Sequence, residues 1–382
     1  MKLNQINSIV FDGKIIDSHG HVGHWKNNEG YIYDSTPDLD IFIKSNLDNG
    51  DSVEKVIVSN LDCMVNKSSE GKIELLSDEI AGNKKVLEIS AKSSKLAPLA
   101  TCQPGFGDVK NIKKLFEENP DKFIGLKFHP EETNVPANSD VYKPYMKFAQ
   151  EKKLPCLFHS GNTFEVRYPD GGIAKASTVS KPEQIYELAR KYRDVPVILA
   201  HWGGDGEQNY NKTTDLILDS LKKKDAKLFG DISWVDCNNP EKPNMKKIIE
   251  RLKTEENGLD RILFGTDAAI GRFGGNGENG ITPMKAYTDN VDNIKKMIKE
   301  NFPDEAEKII DKIFYKNANE LFFKKAPGSS ALANSNRKLG CVIAGSVLLS
   351  SVCGLYFYNK HNKFNNIEKI ENVDIQKFDI KG

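Results

Sequence analysis

The sequence predicts an α/β fold, a (β/α)8 TIM-type barrel followed by a single C-terminal transmembrane helix. Three observations carry this. Eight strand-length apolar runs recur along the chain with helical patterns between them, histidines collect just after several of those runs, and one long stretch near the C-terminus has no charged residue. Strands separated by helices require parallel crossovers, and eight such units close naturally into a barrel. A doubly wound open sheet is the alternative.

The runs are Lys14–Asp17, Lys55–Ser59, Ala97–Thr101, Ile124–Phe128, Leu154–Phe158, Val195–Ala200, Lys227–Ile232 and Arg261–Phe264. They have strand length, and several are rich in Val and Ile. Helical patterns such as Lys181–Arg193 and Asn244–Glu256 lie between them. For the first, Ser180 is the expected N-cap and Pro182 sits in the first turn.

Composition excludes several classes. The 54 Lys+Arg and 54 Asp+Glu residues cancel, so the basic excess of a nucleic-acid binder is missing. Hydrophobic residues make up 38% and charged residues 28% of the 382, which disfavours disorder and a polytopic membrane protein. The six cysteines are scattered without a C-x-x-C, as expected in a reducing compartment and not for a thiolate zinc site. The N-terminal segment lacks the apolar run of a signal peptide.

The uncharged stretch is Leu339–Tyr358, LGCVIAGSVLLSSVCGLYFY. As a helix it would span roughly 30 Å, the thickness of a bilayer core. Basic residues flank both ends, and Tyr356 and Tyr358 sit at one interface. The domain expectation is a barrel over 1–325, a linker over 326–338, a membrane helix over 339–358 and a polar tail over 359–382. The protein would then be a single-pass membrane protein with its barrel cytoplasmic, because the barrel is made first and has no export signal. Ser346, Ser350 and Gly354 form a small-residue stripe suited to helix pairing, hence to a homo-oligomer. A buried core helix is the alternative reading of this stretch.

Of the seven histidines, six follow four of the strand runs: His19, His21 and His24, then His129, His159 and His201. A lone histidine after a strand is usually a hydrogen-bonded loop or core residue. In a barrel, however, all eight strand ends converge on one mouth, where active sites lie. Side chains two apart on a strand point the same way, so His19 and His21 can meet on one ion. Asp267, after the eighth run, lies beside the first strand of a closed barrel. Imidazoles with a carboxylate suit Zn²⁺, and less often Mn²⁺ or Fe²⁺.

The fragments DSHGHVG, GLKFHP, LPCLFHSG, ILAHWGG and LFGTDAA, in this order, resemble the amidohydrolase superfamily. They are most similar to the amidohydrolase-related branch that includes aminocarboxymuconate-semialdehyde-type decarboxylases. The resemblance spans about residues 14–323 and ends in NANELFF (Asn317–Phe323). It implies that His19, His21, His159 and Asp267 hold a divalent metal, most often Zn²⁺, one per chain. It also implies that His201 orients the substrate or the attacking water. Binuclear relatives carry a carboxylated lysine on strand four, which would make Lys127 a bridge to a second metal. In the mononuclear branch that lysine is an unmodified substrate contact. His129 shares strand parity with Lys127 and Trp202 adjoins His201, so both are candidate substrate contacts; loop support and packing are the plainer roles for them.

Other signals are weaker. Gly275-Asn-Gly277-Glu-Asn-Gly280 fits G-x-G-x-x-G but does not open a helix after a strand, so a glycine-rich flap is expected there instead of a nucleotide site. Arg167 and Arg272, in loops after strands five and eight, could grip a carboxylate or simply be surface residues. Asp17 shares parity with His19 and His21 and could support them.

The expected activity is a metal-dependent hydrolase acting on a small amide, ester or lactone through a metal-activated water, with Asp267 accepting the proton and His201 steadying the oxyanion. The alternatives are a decarboxylase of a small carboxylic acid and a non-catalytic metal-binding sensor. The partner is a small-molecule substrate, with no nucleic acid.

Overall fold

The runs form eight parallel strands in a computed structural model that describes residues 12–26, 32–34, 50–60, 65–67, 73–75, 78–161, 165–167, 173–175, 179–204, 206–235, 244–269 and 283–324. The strands are β1 (Lys14–Val22), β2 (Ser52–Asn60), β3 (Leu96–Cys102), β4 (Gly125–Phe128), β5 (Cys156–Phe158), β6 (Pro196–Leu199), β7 (Lys227–Asp231) and β8 (Ile262–Leu263). Each pairs with its neighbours in chain order. Closure is made by the chain beyond β8: Ala268–Ala269 pairs in parallel with Gly20 and His21 of β1. Ser18 N–H donates to Phe264 O at 2.9 Å and Asp267 N–H donates to His19 O at 2.7 Å, completing the seam. The barrel expectation therefore holds, and the open sheet does not.

Alternation along each strand sorts the core into two layers. Ile16, Ile57, Leu99, Leu157, Ile198 and Leu263 point to the axis and form one cluster. Their neighbours Ile15, Val56, Ala100, Phe158, Leu199 and Ile262 belong to a larger cluster between strands and helices. A closed parallel barrel is apolar on both faces of the sheet, which is why the runs are continuous and not alternating.

The helices that follow β2 to β8 are α1 (Glu79–Ser90), α2 (Val109–Glu118), α3 (Lys143–Lys152), α4 (Pro182–Lys191), α5 (Glu207–Lys223), α6 (Asn244–Leu252) and α7 (Pro283–Asn301). The α4 helix opens at Pro182, as expected, but Ser180 does not cap it. The Ser180 hydroxyl donates instead to Gly161 O at 3.1 Å, fastening the loop after β5. Short antiparallel hairpins pair His24–Lys26 with Ile32–Asp34, Val65–Lys67 with Ile73–Leu75, and Glu165–Arg167 with Ile173–Lys175. The last helical segments close the end of the barrel where the strands start. Ala318 joins the axial layer, while Lys14 and Lys55 lie over the rings of Tyr315 and Phe323.

The transmembrane part of the expected fold class is corrected. Among the described residues no helix is long and apolar enough to cross a membrane. The chain divides into two units at Lys324–Lys325, and residues 339–358, on which that expectation fell, lie outside the described residues. The single-pass membrane placement and the membrane as a partner are withdrawn with it. The physical reason is that a charge-free run is a statement about composition, whereas a span also needs one continuous helix of bilayer length. The Gly275–Gly280 flap and Arg272 also fall outside the described residues.

Gly161 shows how tightly the mouth is built. It has φ +99°, and a Cβ there would stand 2.2 Å from Gly204 Cα and 2.3 Å from Gly203 O. Both the left-handed backbone and the close approach require glycine. Gly161→Ala is expected to lower unfolding free energy by roughly 2–4 kcal/mol in urea titrations. A loss below about 0.5 kcal/mol, the scale of a neutral surface change, would show that these loops have room to part.

Candidate active site

Five imidazoles form a closed ring at the C-terminal mouth. Centroid separations are 5.0 Å for His19–His21, 6.1 Å for His21–His129, 5.2 Å for His129–His159, 4.7 Å for His159–His201 and 5.1 Å for His201–His19. All five are buried. Lys127 is an axial residue between the outward-facing Leu126 and Phe128, and its Nζ lies 2.8 Å from His19 Nε2.

The chain reaches this arrangement through backbone that most residues avoid. His201, Trp234 and Asp267, at the ends of β6, β7 and β8, have φ of 55°, 62° and 56°. Each left-handed residue costs of order 1 kcal/mol, and such strain collects at functional sites. Here it turns His201 and Asp267 toward the ring.

Three donor atoms meet at one point. Asp267 Oδ1 lies 3.0 Å from His19 Nε2 and 2.9 Å from His21 Nε2. Donors bound to one ion at about 2.0–2.1 Å stand roughly 3 Å or a little more apart, so this group has the spacing of a metal site. His159 belongs to an adjoining group with His129 and Glu131, and His201 to one with His19 and Asp231. The sequence-expected set is thus one continuous cluster, with His159 reached through His201.

The oxygens behind the outer nitrogens show whether the cluster suits a cation. His19 Nδ1 lies 3.1 Å from Asp231 Oδ2, and His159 Nε2 lies 3.1 Å from Glu131 Oε1. Carboxylates accept, so both nitrogens carry their hydrogens outward. The Ser233 hydroxyl donates to Asp231 Oδ1, so at 2.8 Å it accepts from His201 Nδ1. The inner atoms His19 Nε2, His159 Nδ1 and His201 Nε2 are then lone pairs. His201 Nε2 and His159 Nδ1 face one another at 3.2 Å. His21 Nδ1 is held by Ser59 Oγ at 2.9 Å. Lone pairs and a carboxylate turned to a common centre, each imidazole fixed by an oxygen behind it, is the pattern of metal-binding histidines. The residues fit a divalent cation.

Charge states agree. Burial, with Lys127 adding to it, lowers His19 to about 4, and burial also lowers His21. Burial drives His129 and His159 well below the usual imidazole value. Burial would raise Asp267, but the facing His201, His19 and His21 outweigh it and hold the carboxyl well below its usual range. In Asp231 burial is likewise outweighed, chiefly by His19, and the value falls to about 2. Neutral imidazoles and ionised carboxylates are what a cation requires.

Lys127 is the buried cation among them, and burial lowers it from 10.5 to about 8. Below pH 8 folded and unfolded chains both hold the ammonium, and the desolvation cost is fully present. Between 8 and 10.5 the unfolded chain binds more protons than the folded one, so this cost fades as pH rises. In chelator-treated protein, the stability gap between Lys127→Met and wild type should therefore shrink across that window. A gap independent of pH would contradict a depressed Lys127.

The remaining sequence candidates are placed as follows. Asp17 accepts from Thr266 Oγ1 at 2.6 Å and from the backbone of His19 and Thr266, so it fastens β1 to the end of β8. Burial raises it to about 7. Trp202 is completely buried behind β7: its indole N–H donates to Thr214 at 3.0 Å, and a Cβ on Gly230 would strike its ring at 2.5 Å. His129 offers Nδ1 to Glu131 at 3.1 Å, and its Nε2 is buried. His24 and Arg167 stand on the short hairpins.

Five residues were not singled out from sequence: Ser59, Glu131, Asp231, Ser233 and Trp234. Trp234 is 62% exposed, and its indole N–H donates to Asp267 Oδ2 at 2.7 Å. Asp231 could have been found, since it lies one residue before the end of its strand run as Asp267 follows its own. Glu131 lies two residues after His129. The serines and Trp234 carry no signal without coordinates.

The fold recurs in solved structures. A probable 2-pyrone-4,6-dicarboxylic acid hydrolase from Acinetobacter baumannii, solved with citric acid bound, has TM-score 0.51 and 17% identity over 81% of this chain and 98% of that one. The IDCase of Metarhizium anisopliae in apo form has TM-score 0.51 and 13% identity over 81% and 97%. At such identities the likeness concerns the fold. No curated protein matches the sequence. The family model described as Amidohydrolase matches residues 107–324, more than half of the chain, and includes Lys127, His129, His159, His201, Asp231 and Asp267. That match sets aside the non-catalytic reading: the protein is an enzyme, and the chain belongs to the amidohydrolase family.

Proposed function

We propose that the chain is a hydrolase of a small carbonyl compound, an amide, ester or lactone, using one divalent metal ion, Zn²⁺ by preference. The observation that carries the reading is the convergence of His19 Nε2, His21 Nε2 and Asp267 Oδ1, with the outer nitrogens of both imidazoles held by Asp231 and Ser59. His19, His21, His159 and Asp267 would hold the ion. When bound, it would supply Lewis acidity at the carbonyl and make water a nucleophile near neutral pH.

The chain's own residues do the rest. Asp267 turns Oδ1 to the imidazoles and Oδ2 to Trp234 Nε1, and its Oδ2 is the proton acceptor for the attacking water. His201 Nε2, 3.9 Å from Asp267 Oδ2, stands beside that position; a lone pair in the resting site, it would steady developing negative charge once it has taken a proton. The Lys127 ammonium would hold a substrate oxygen. Near its value of about 8 it is also partly neutral, the form that carboxylation to a second metal bridge would need.

The same Lys127 supports a second reading, decarboxylation, because a buried ammonium can anchor a carboxylate. Metal analysis followed by a panel of amides, esters, lactones and carboxylic acids tests the proposal. ¹⁸O from water in the product supports hydrolysis, whereas CO₂ release without ¹⁸O uptake supports the lyase. Metal-free protein after purification and zinc challenge would refute both.

A further inference from the structure

Glu131 is an unused group at the centre. It lies in a single helical turn, Pro130–Thr133, directly after β4, and it is 1% exposed. One of its oxygens, Oε1, is 3.1 Å from His159 Nε2 and also 3.1 Å from His129 Nδ1. The two rings lie nearly parallel, 27° apart, so both nitrogens address that oxygen from one side.

We propose that Glu131 is a positioning residue that fixes the proton positions of His159 and His129 together, and so makes Nδ1 the nitrogen that His159 turns toward the cation centre. This rests on the metal-dependent reading above and adds a residue to it. A carboxylate oxygen only accepts, so His159 carries its hydrogen on Nε2 and His129 on Nδ1. His159 Nδ1 is then left as a lone pair facing His201 Nε2 at 3.2 Å.

The second arm of the fork argues that this polarity matters. With its hydrogen on Nδ1, His129 has a lone pair at Nε2, a buried atom with no hydrogen-bond partner among the described residues. Leaving a buried acceptor unsatisfied is unfavourable. The fork keeps that cost, and what it gains is a carboxylate gripped from one side by two N–H groups and a His159 ring that cannot reverse its tautomer. Glu131 thus acts at one end of the imidazole ring as Asp231 acts at the other, on His19 Nδ1 and, through Ser233, on His201.

Protein labelled with ¹⁵N in its histidine rings tests this directly, with His129→Asn and His159→Asn spectra giving the assignments. Metal-free wild type should show His159 protonated at Nε2 and His129 at Nδ1. Glu131→Leu removes the acceptor and should release His129 from the Nδ1–H form. It should also weaken zinc binding by roughly 10–100-fold, the scale of losing a group that orients a ligand. Glu131→Gln keeps an oxygen and should restore part of both signals. A purely structural Glu131 would lower thermal stability while leaving the zinc dissociation constant and the ring spectra unchanged, and that result would overturn the proposal. So would wild-type His159 protonated at Nδ1, a measurement that needs no variant to fold. Failure of the hydrolase reading appears separately, as absence of turnover with these spectra intact.

Discussion

Replacing Asp267 by Asn should lower turnover by roughly 10²–10⁴-fold, the range for losing an acid–base group, while metal content falls only modestly. Asn keeps the size and one ligating oxygen. It loses the ionised carboxylate that His201, His19 and His21 stabilise, and with it the basic site at Oδ2. The partner experiment is His201→Asn, which should leave metal largely bound and still slow the reaction, because His201 would stabilise charge. If His201→Asn instead strips metal in proportion to activity, the centre is binuclear and His201 is a ligand. Near-normal turnover of Asp267→Asn with full metal would mean that another group is the base.

The second large effect concerns the ion itself. Wild type should hold about one divalent ion per chain by elemental analysis, and joint replacement of His19 and His21 by Asn should abolish tight binding. The two rings supply two of the three atoms that meet within 3.0 Å at Asp267 Oδ1. Removing them leaves Lys127 and the two carboxylates Asp231 and Asp267 without the imidazoles between them. Unfolding should therefore also become easier, since breaking a buried paired network typically costs about 3–5 kcal/mol. Two ions per chain with electron density for a carboxylated Lys127 would replace the mononuclear reading, and full zinc retention by the double variant would place the metal elsewhere.

The barrel was legible because its signal is local and repeated. Each strand run is apolar on both faces, those on β2 to β8 are followed by helices, and the runs named from sequence fall on β1 to β8. His19, His21, His129, His159 and His201 were legible for a related reason: strand ends in a barrel share one mouth, so position along the chain stands for position in space. The same reasoning does not carry to the tail, where an uncharged run reads as a membrane helix. For Trp202 it leaves pocket wall and packing both open, because a place beside His201 says nothing of direction. The left-handed backbone at both residues sends the indole behind β7 while the imidazole enters the ring.

The order of the strands, the residue types at the mouth and the family to which their pattern belongs are all readable along the chain. Polarity emerges only on folding: which nitrogen of each imidazole faces inward, and which oxygen holds the other. Asp231 stands 212 residues from His19, the partner it orients. Glu131 orients His159 from the neighbouring strand end, and Trp234 reaches Asp267 from the loop after β7. A hydrogen bond depends on ångström-scale placement of atoms that chain separation does not encode. The same five histidines could therefore line a barrel without a single lone pair turned toward its centre.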